Sequence, residues 1–279
     1  MNALSRVALL ALAGAFLAPA PAVGWGANAQ KLVTSKAVDT LPPELRPFFE
    51  AIRNNLAQQS GELADAQARI PAAERRNHHI YLDRYGRFPY DVLPRDYKAA
   101  LRLFGKAKLD ANGVLPWEVG VYSERLTNAM RAGKWDEARQ HAATLAYYVA
   151  ASHDPFNTTD NFDGQLSGQP GVRQRFGVNM VDRFALFFFV RPNDAAHIAD
   201  PTDRAFEICL SARSWLENIL LADRRARRGL PDYTDEYFDR FYNQAGAVLI
   251  RQLSDAATDV GSFWLTAWIN AGQPALPPR

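Results

Sequence analysis

Cysteine is almost missing from this sequence: Cys209 is the only one among 279 residues. That excludes an internal disulfide framework and any zinc site built from several thiolates. A surplus of charge is missing too. With 32 Lys+Arg against 30 Asp+Glu the formal net charge is +2, so there is no global cationic field of the kind that dedicated DNA binding draws on. Histidine is scarce, at five residues, and a metal would have to be held by these, by Asp or Glu, or by an amino terminus. No apolar run reaches the roughly 20 residues that span a bilayer; one begins at Val7 and is ended by Pro19 and Pro21. A transmembrane anchor is therefore not expected. Hydrophobic residues make up 48% and charged residues 22%, close to globular averages and far from disordered or polytopic membrane chains.

What is present begins with an address. Residues 1–24, MNALSRVALLALAGAFLAPAPAVG, carry one cation (Arg6), an apolar stretch from Val7 to Leu17, and the small residues Ala22 and Gly24. This is the pattern of a secretory signal peptide. Cleavage near Gly24/Trp25 leaves residues 25–279 as one domain, in the periplasm or outside the cell, starting at Trp25.

From there onward apolar residues recur at spacings of three and four, as in Leu32, Val33, Ala37 and Leu41, the mark of amphipathic helices. Further helices are expected at 43–59, 94–105, 117–132, 135–153, 176–190, 203–228 and 234–271, punctuated by Gly133, Pro192, Gly229 and Pro231. Strand patterns are nearly absent, so the fold class is all-α, a single-domain multi-helix fold. The one long break, 154–175, exceeds a tight helix connection and reads as a functional loop.

Single features mostly have structural readings. Phe184 to Val190 is too short to cross a membrane and is expected as a buried helix turn. Arg224, Arg225, Arg227 and Arg228 fit a solvated helix C-terminus, and Cys209 a small core residue. Asp110–Gly113 and Asp160–Gly164 lack the spacing of calcium loops and read as turns. His141 and His197 are expected to be structural. His78 and His79 are adjacent, so on a helix they diverge and at most one enters a site.

Several stretches taken in order carry a resemblance: Trp25-Gly26, NHHIYLDRYG at 77–86, LPRDY at 93–97, GVLPW at 113–117, LAYYVAASHDPFNTT at 145–159, NFDGQ at 161–165 and GVRQRF at 171–176. Over roughly residues 25–185 the chain resembles the zinc-dependent phospholipase C and single-strand nuclease superfamily. The resemblance implies an all-helical phospholipase C/nuclease-like fold whose family site holds three zinc ions. There the metals polarise a phosphodiester and lower the pKa of a bridging water. Trp25, Asp65 and His79 match ligand positions of that family. Gln30, Tyr147, Ala151, Asn157, Arg173 and Gly177 stand where the family has metal-ligating side chains, and His153 matches a histidine that is not a ligand. Ala151 and Gly177 offer no donor atom, and a guanidinium at Arg173 is not a zinc ligand.

The expectation is a degenerate member with no cofactor. In the first reading it is a non-catalytic binding or regulatory pseudoenzyme whose cleft, built from Arg173, Tyr147, Asn157, Gln30 and His153 with Trp25 and Phe156 as apolar walls, takes an anionic or amphipathic ligand such as a phosphate-containing molecule or lipid. Arg173 then replaces metal charge and lies within hydrogen-bonding reach of Asp65 or His79; the alternative role for it is a structural salt bridge. In the second reading a reduced zinc site of Trp25, Asp65 and His79, helped by Asp154, Asp160 or Asp163, hydrolyses phosphodiesters, which requires those loop aspartates to reach His79. A third reading, a partner-binding envelope protein, predicts an exposed aromatic patch and a closed cleft.

Overall fold

The computed structural model describes residues 25–277; the expected leader, 1–24, lies outside the described residues. Among the described residues there is no strand. The helices are α1 (Ala27–Asp39), α2 (Arg46–Ala66), α3 (Ala72–Arg75), α4 (Tyr97–Phe104), α5 (Lys106–Asn112), α6 (Leu115–Arg131), α7 (Trp135–Ser152), α8 (Val172–Gln174), α9 (Met180–Phe184), α10 (Pro201–Ser214), α11 (Leu216–Arg227) and α12 (Asp235–Asn270). A π turn, Arg175–Asn179, joins α8 to α9. The all-α expectation holds, and the long helices lie close to their expected spans. The stretch expected as one helix at 203–228 is instead two, broken at Trp215.

The axis of the fold is α12, whose 36 residues extend about 54 Å at 1.5 Å per residue. Thr234 caps its start by accepting from the Tyr237 backbone N–H, and its second half is buried nearly all round, from Val260 to Trp268, as a central helix must be. Phe49 of α2 stacks on Trp264 at 4.5 Å between centroids, while the Trp264 indole donates to the Ala142 carbonyl of α7 at 3.0 Å. One pair of rings thus ties three helices to one hydrophobic core. At Gly261 a Cβ would lie 1.9 Å from Thr40 Oγ1, so the absence of a side chain there is what lets the end of α1 approach α12.

Serine and threonine do unusual work on α12. Ser254, Thr258, Ser262 and Thr266 sit four apart, on one face. Their hydroxyls accept from the backbone N–H groups of Arg191, Asn193, Ala196 and Ile198 at 2.8 to 3.1 Å. Four helical residues rise about 6.0 Å and two extended residues about 6.6 Å, so the repeats match at Arg191 to Asn193 and at Ala196 to Ile198, while the step from Asn193 to Ala196 takes one extra residue. The segment 190–199 therefore runs along α12 with several of its backbone N–H groups satisfied by side chains and without forming a sheet.

The run Phe184 to Val190 departs from expectation. Leu186, Phe187 and Phe189 are exposed, at 98%, 65% and 72%, because α9 ends at Phe184 and a single 3-10 turn, Ala185–Phe187, carries the chain outward.

Candidate functional site

The site assembles where the chain's described start, the end of α7 and the irregular helix after the long loop meet. Gly26 donates its N–H to the Gly177 carbonyl in the π turn at 3.3 Å. Trp25 packs its ring against Phe176 at 5.9 Å. Gln30, on the buried face of α1, donates to the Tyr147 carbonyl at 3.5 Å. At the end of α7, Asp154 caps the 3-10 turn Pro155–Thr158 by accepting from the Phe156 N–H at 3.0 Å. That turn aims Asn157 back at α7, where its amide donates to the Ala151 carbonyl at 2.8 Å.

Arg173 sits at the centre. Its guanidinium donates to Asn157 Oδ1 and faces Asp154 Oδ2 at 3.3 Å, with the arginine 7% and the aspartate 2% exposed. The expected partners, Asp65 and His79, are not the ones used. Asp65 is exposed on the last turn of α2, whereas Asp154 is held inward by its own cap bond. The charge-balancing acid therefore comes from the end of α7.

The two adjacent histidines both border this centre, because the backbone there is not a continuous helix. A 3-10 turn ends at His78, and His79 is extended. The segment is stitched on both sides: Ile80 N–H donates to the Asn157 carbonyl at 2.8 Å, Tyr81 N–H to Asn112 at 2.7 Å, and Leu115 N–H to the His79 carbonyl at 3.1 Å. Gly113 permits this closeness, since its φ is +89° and a Cβ would fall 2.1 Å from the His79 carbonyl oxygen. His78 Nδ1 lies 2.8 Å from the Tyr147 hydroxyl and 2.6 Å from the Gln67 amide. The His79 ring stacks on Tyr81 at 4.2 Å, and Tyr81 on Phe162 at 5.9 Å.

Burial and the Arg173 charge act together on these groups. Burial first, then Arg173, pushes His78 down to about 4 and His79 to about 3, so both imidazoles are neutral at pH 7. Burial also holds the Tyr147 hydroxyl well above the ordinary phenol range. It raises Asp154 as well, against the lowering effect of Arg173.

The remaining sequence candidates lie elsewhere. His153 turns to Asp259 at 3.0 Å, and that carboxylate also takes two bonds from Arg204. His153 thus belongs to a buried network with α10 and α12 and shares no hydrogen bond with Arg173. Asp160 pairs with Arg84 at 2.9 Å, tying the loop to the 3-10 turn Leu82–Arg84, and Asp163 accepts from the Gly171 N–H at 2.8 Å, closing the loop on itself; neither is engaged with His79. Among the described residues no group of three or more His, Cys, Asp or Glu is placed to hold a metal ion. The Trp25, Asp65 and His79 set does not fit zinc: Asp65 faces solvent while Trp25 is buried.

Sequence reasoning missed one neighbouring network. Arg175, Asp223, Tyr237 and Gln169 form a buried cluster, with Arg175 Nε 2.9 Å from Asp223 and Gln169 donating to Asp223 at 2.6 Å. It braces the π turn against α11 and α12. Nothing in the local sequence marks it, because its members come from four separate segments.

Several buried polar atoms of the site have no hydrogen-bond partner: Trp25 Nε1, Gln30 Oε1, Asp154 Oδ2 and Arg173 Nε. Two are donors and two are acceptors. A scan against protein-family models and a search of curated proteins each return no match to this chain.

Proposed function

We propose that this chain is a periplasmic or secreted binding protein, a non-catalytic relative of the phospholipase C and nuclease proteins it resembles, which takes a small phosphate-type anion at Arg173. The observation that carries this reading is the arginine itself. It is buried, it stands at a position the resemblance assigns to a metal ligand, and its Nε–H has no hydrogen-bond partner. A guanidinium recognises phosphate oxygens through parallel N–H donors, and an unsatisfied buried donor is unfavourable until something accepts from it. The residues around it support binding more than chemistry. Neutral His78 and His79 add no charge, and Asn157 and Asp154 are engaged with Arg173 itself.

An incoming anion competes with Asp154 for the guanidinium. Because burial already raises the Asp154 carboxyl, its release from Arg173 draws in a proton. Anion binding is therefore tighter at lower pH. Calorimetric titration with inorganic phosphate and with sulfate, whose charge is constant between pH 5 and 8, tests this. The expected result is saturable binding of both, with sulfate tighter at pH 5.5 than at pH 7.5, and loss of binding in Arg173→Met. Absence of binding, or equal binding by the variant, overturns the reading.

A further inference from the structure

Between Arg183 and Arg191 the sequence reads RFALFFFVR, with two cations and no anion around seven apolar residues. The structure divides this run into anchors and an apex. Phe184 stacks on Tyr242 of α12 at 4.4 Å, Phe188 lies nearly parallel to the same ring at 6.1 Å, and Val190 is buried. Leu186, Phe187 and Phe189 project outward between them. The Phe188 N–H donates to the Ala185 carbonyl at 3.1 Å, so the apex is a hydrogen-bonded turn clamped from below by stacked rings.

We propose that this apex is a docking element that inserts into the surface of a bilayer containing anionic lipid. Three observations select lipid over a protein partner. The exposed parts of the three side chains present about 450 Å² of apolar surface, whereas a stable protein interface needs about 800 Å² on each side. From 184 to 190 no side chain carries a polar atom, so nothing there specifies a protein by hydrogen bonding, and hydrocarbon requires nothing of the kind. The shoulders are cationic. Arg191 lies over the Phe189 ring at 5.5 Å and has no ion pair among the described residues, while Arg183 lies over Phe238 at 4.3 Å and pairs with Asp235. Long arginine stems beside aromatic rings suit the headgroup level, with the charge on lipid phosphate and the rings below it. This inference is independent of the Arg173 site.

The test uses protein expressed from the full sequence, with parent and variants matched in their amino termini by mass spectrometry, so that any retained leader contributes equally. Each is sedimented with large unilamellar vesicles of phosphatidylcholine alone or of phosphatidylcholine and phosphatidylglycerol at about 3:1. The mixed vesicles are expected to bind the parent more tightly, and less so as salt rises. Phe187→Ser combined with Phe189→Ser should lower partitioning about thirtyfold or more. Arg191→Gln should lower it about fivefold on mixed vesicles and leave phosphatidylcholine binding unchanged. All three positions are exposed, so these variants fold. In Phe187→Trp, binding is retained and brominated lipid quenches emission beyond that of the parent. The proposal is overturned if neither vesicle binds, if the double serine variant binds as the parent does, or if binding follows Arg224→Gln with Arg225→Gln instead. It is also overturned by a lipid-free dimer that the serine variant abolishes, which would assign the apex to a second copy of the chain.

Discussion

Arg173 and Asp154 are the pair to break. In Arg173→Met the Asp154 carboxyl stays buried and keeps only the Phe156 N–H as a partner. Removing one member of a buried ion pair costs about 3–5 kcal/mol, whereas removing both is often nearly neutral. For a chain of this size each kcal/mol moves the melting temperature by about 2–4 °C, so the variant should melt about 6–20 °C below the parent at pH 7. Arg173→Met with Asp154→Asn should recover most of that loss, because the amide oxygen can still cap the turn. The pH dependence has a definite sign. Burial raises the Asp154 carboxyl in the folded chain and Arg173 opposes it; without the arginine it rises further. A raised folded-state pKa gives stability that is present below the ordinary Asp range and lost as pH rises through the folded value. The deficit of Arg173→Met is therefore small near pH 4 and grows as pH rises toward 7. Thermal melts of the three proteins across this range decide the matter. A single variant within about 2 °C of the parent at pH 7, or a double variant as unstable as the single, refutes the pairing.

The histidines and the glycine beside them give two further tests. With folded-state values near 4 for His78 and 3 for His79, their imidazole proton resonances should not shift between pH 7.5 and 5; the stability they contribute is complete above about pH 6.5 and lost as pH falls toward 4 and 3. Gly113→Ala forces a side chain onto the His79 carbonyl at positive φ. It should destabilise the chain by more than about 2 kcal/mol in urea unfolding, and it should also shift the His79 resonances. An unperturbed His79 in a folded Gly113→Ala protein would contradict the claim that this glycine sets the segment's position.

The helices were legible because their burial is periodic: Phe238, Phe241, Ala245, Leu249 and Leu253 repeat every three or four residues and all are buried on α12. The apex at 186–189 was not, since periodicity reports apolar character and cannot tell a buried turn from one pushed outward by a 3-10 break. The Ser/Thr ladder on α12 was readable as a spacing of four, but its partner is an extended segment with no pattern of its own. At the site, the resemblance named Gln30, Tyr147, Asn157 and Arg173 together, and hydrogen bonds join Gln30 to the Tyr147 carbonyl and Arg173 to Asn157. The identity of the acid facing Arg173 was not legible, because it depends on Asp154 being turned inward by a three-residue cap. The divergence expected for adjacent histidines assumed a helix, and the chain passes instead from a 3-10 turn at His78 to extended backbone at His79.

The central proposal is that Arg173, paired with Asp154 and Asn157, occupies a position to which the resemblance assigns a metal ligand. Metal content by mass spectrometry is its most direct test, made on protein purified without chelators or an amino-terminal tag and verified to begin at Trp25. Only trace zinc is expected, unchanged by Arg173→Met. Near-stoichiometric zinc that survives dialysis would contradict the proposal and favour a metal-dependent hydrolase.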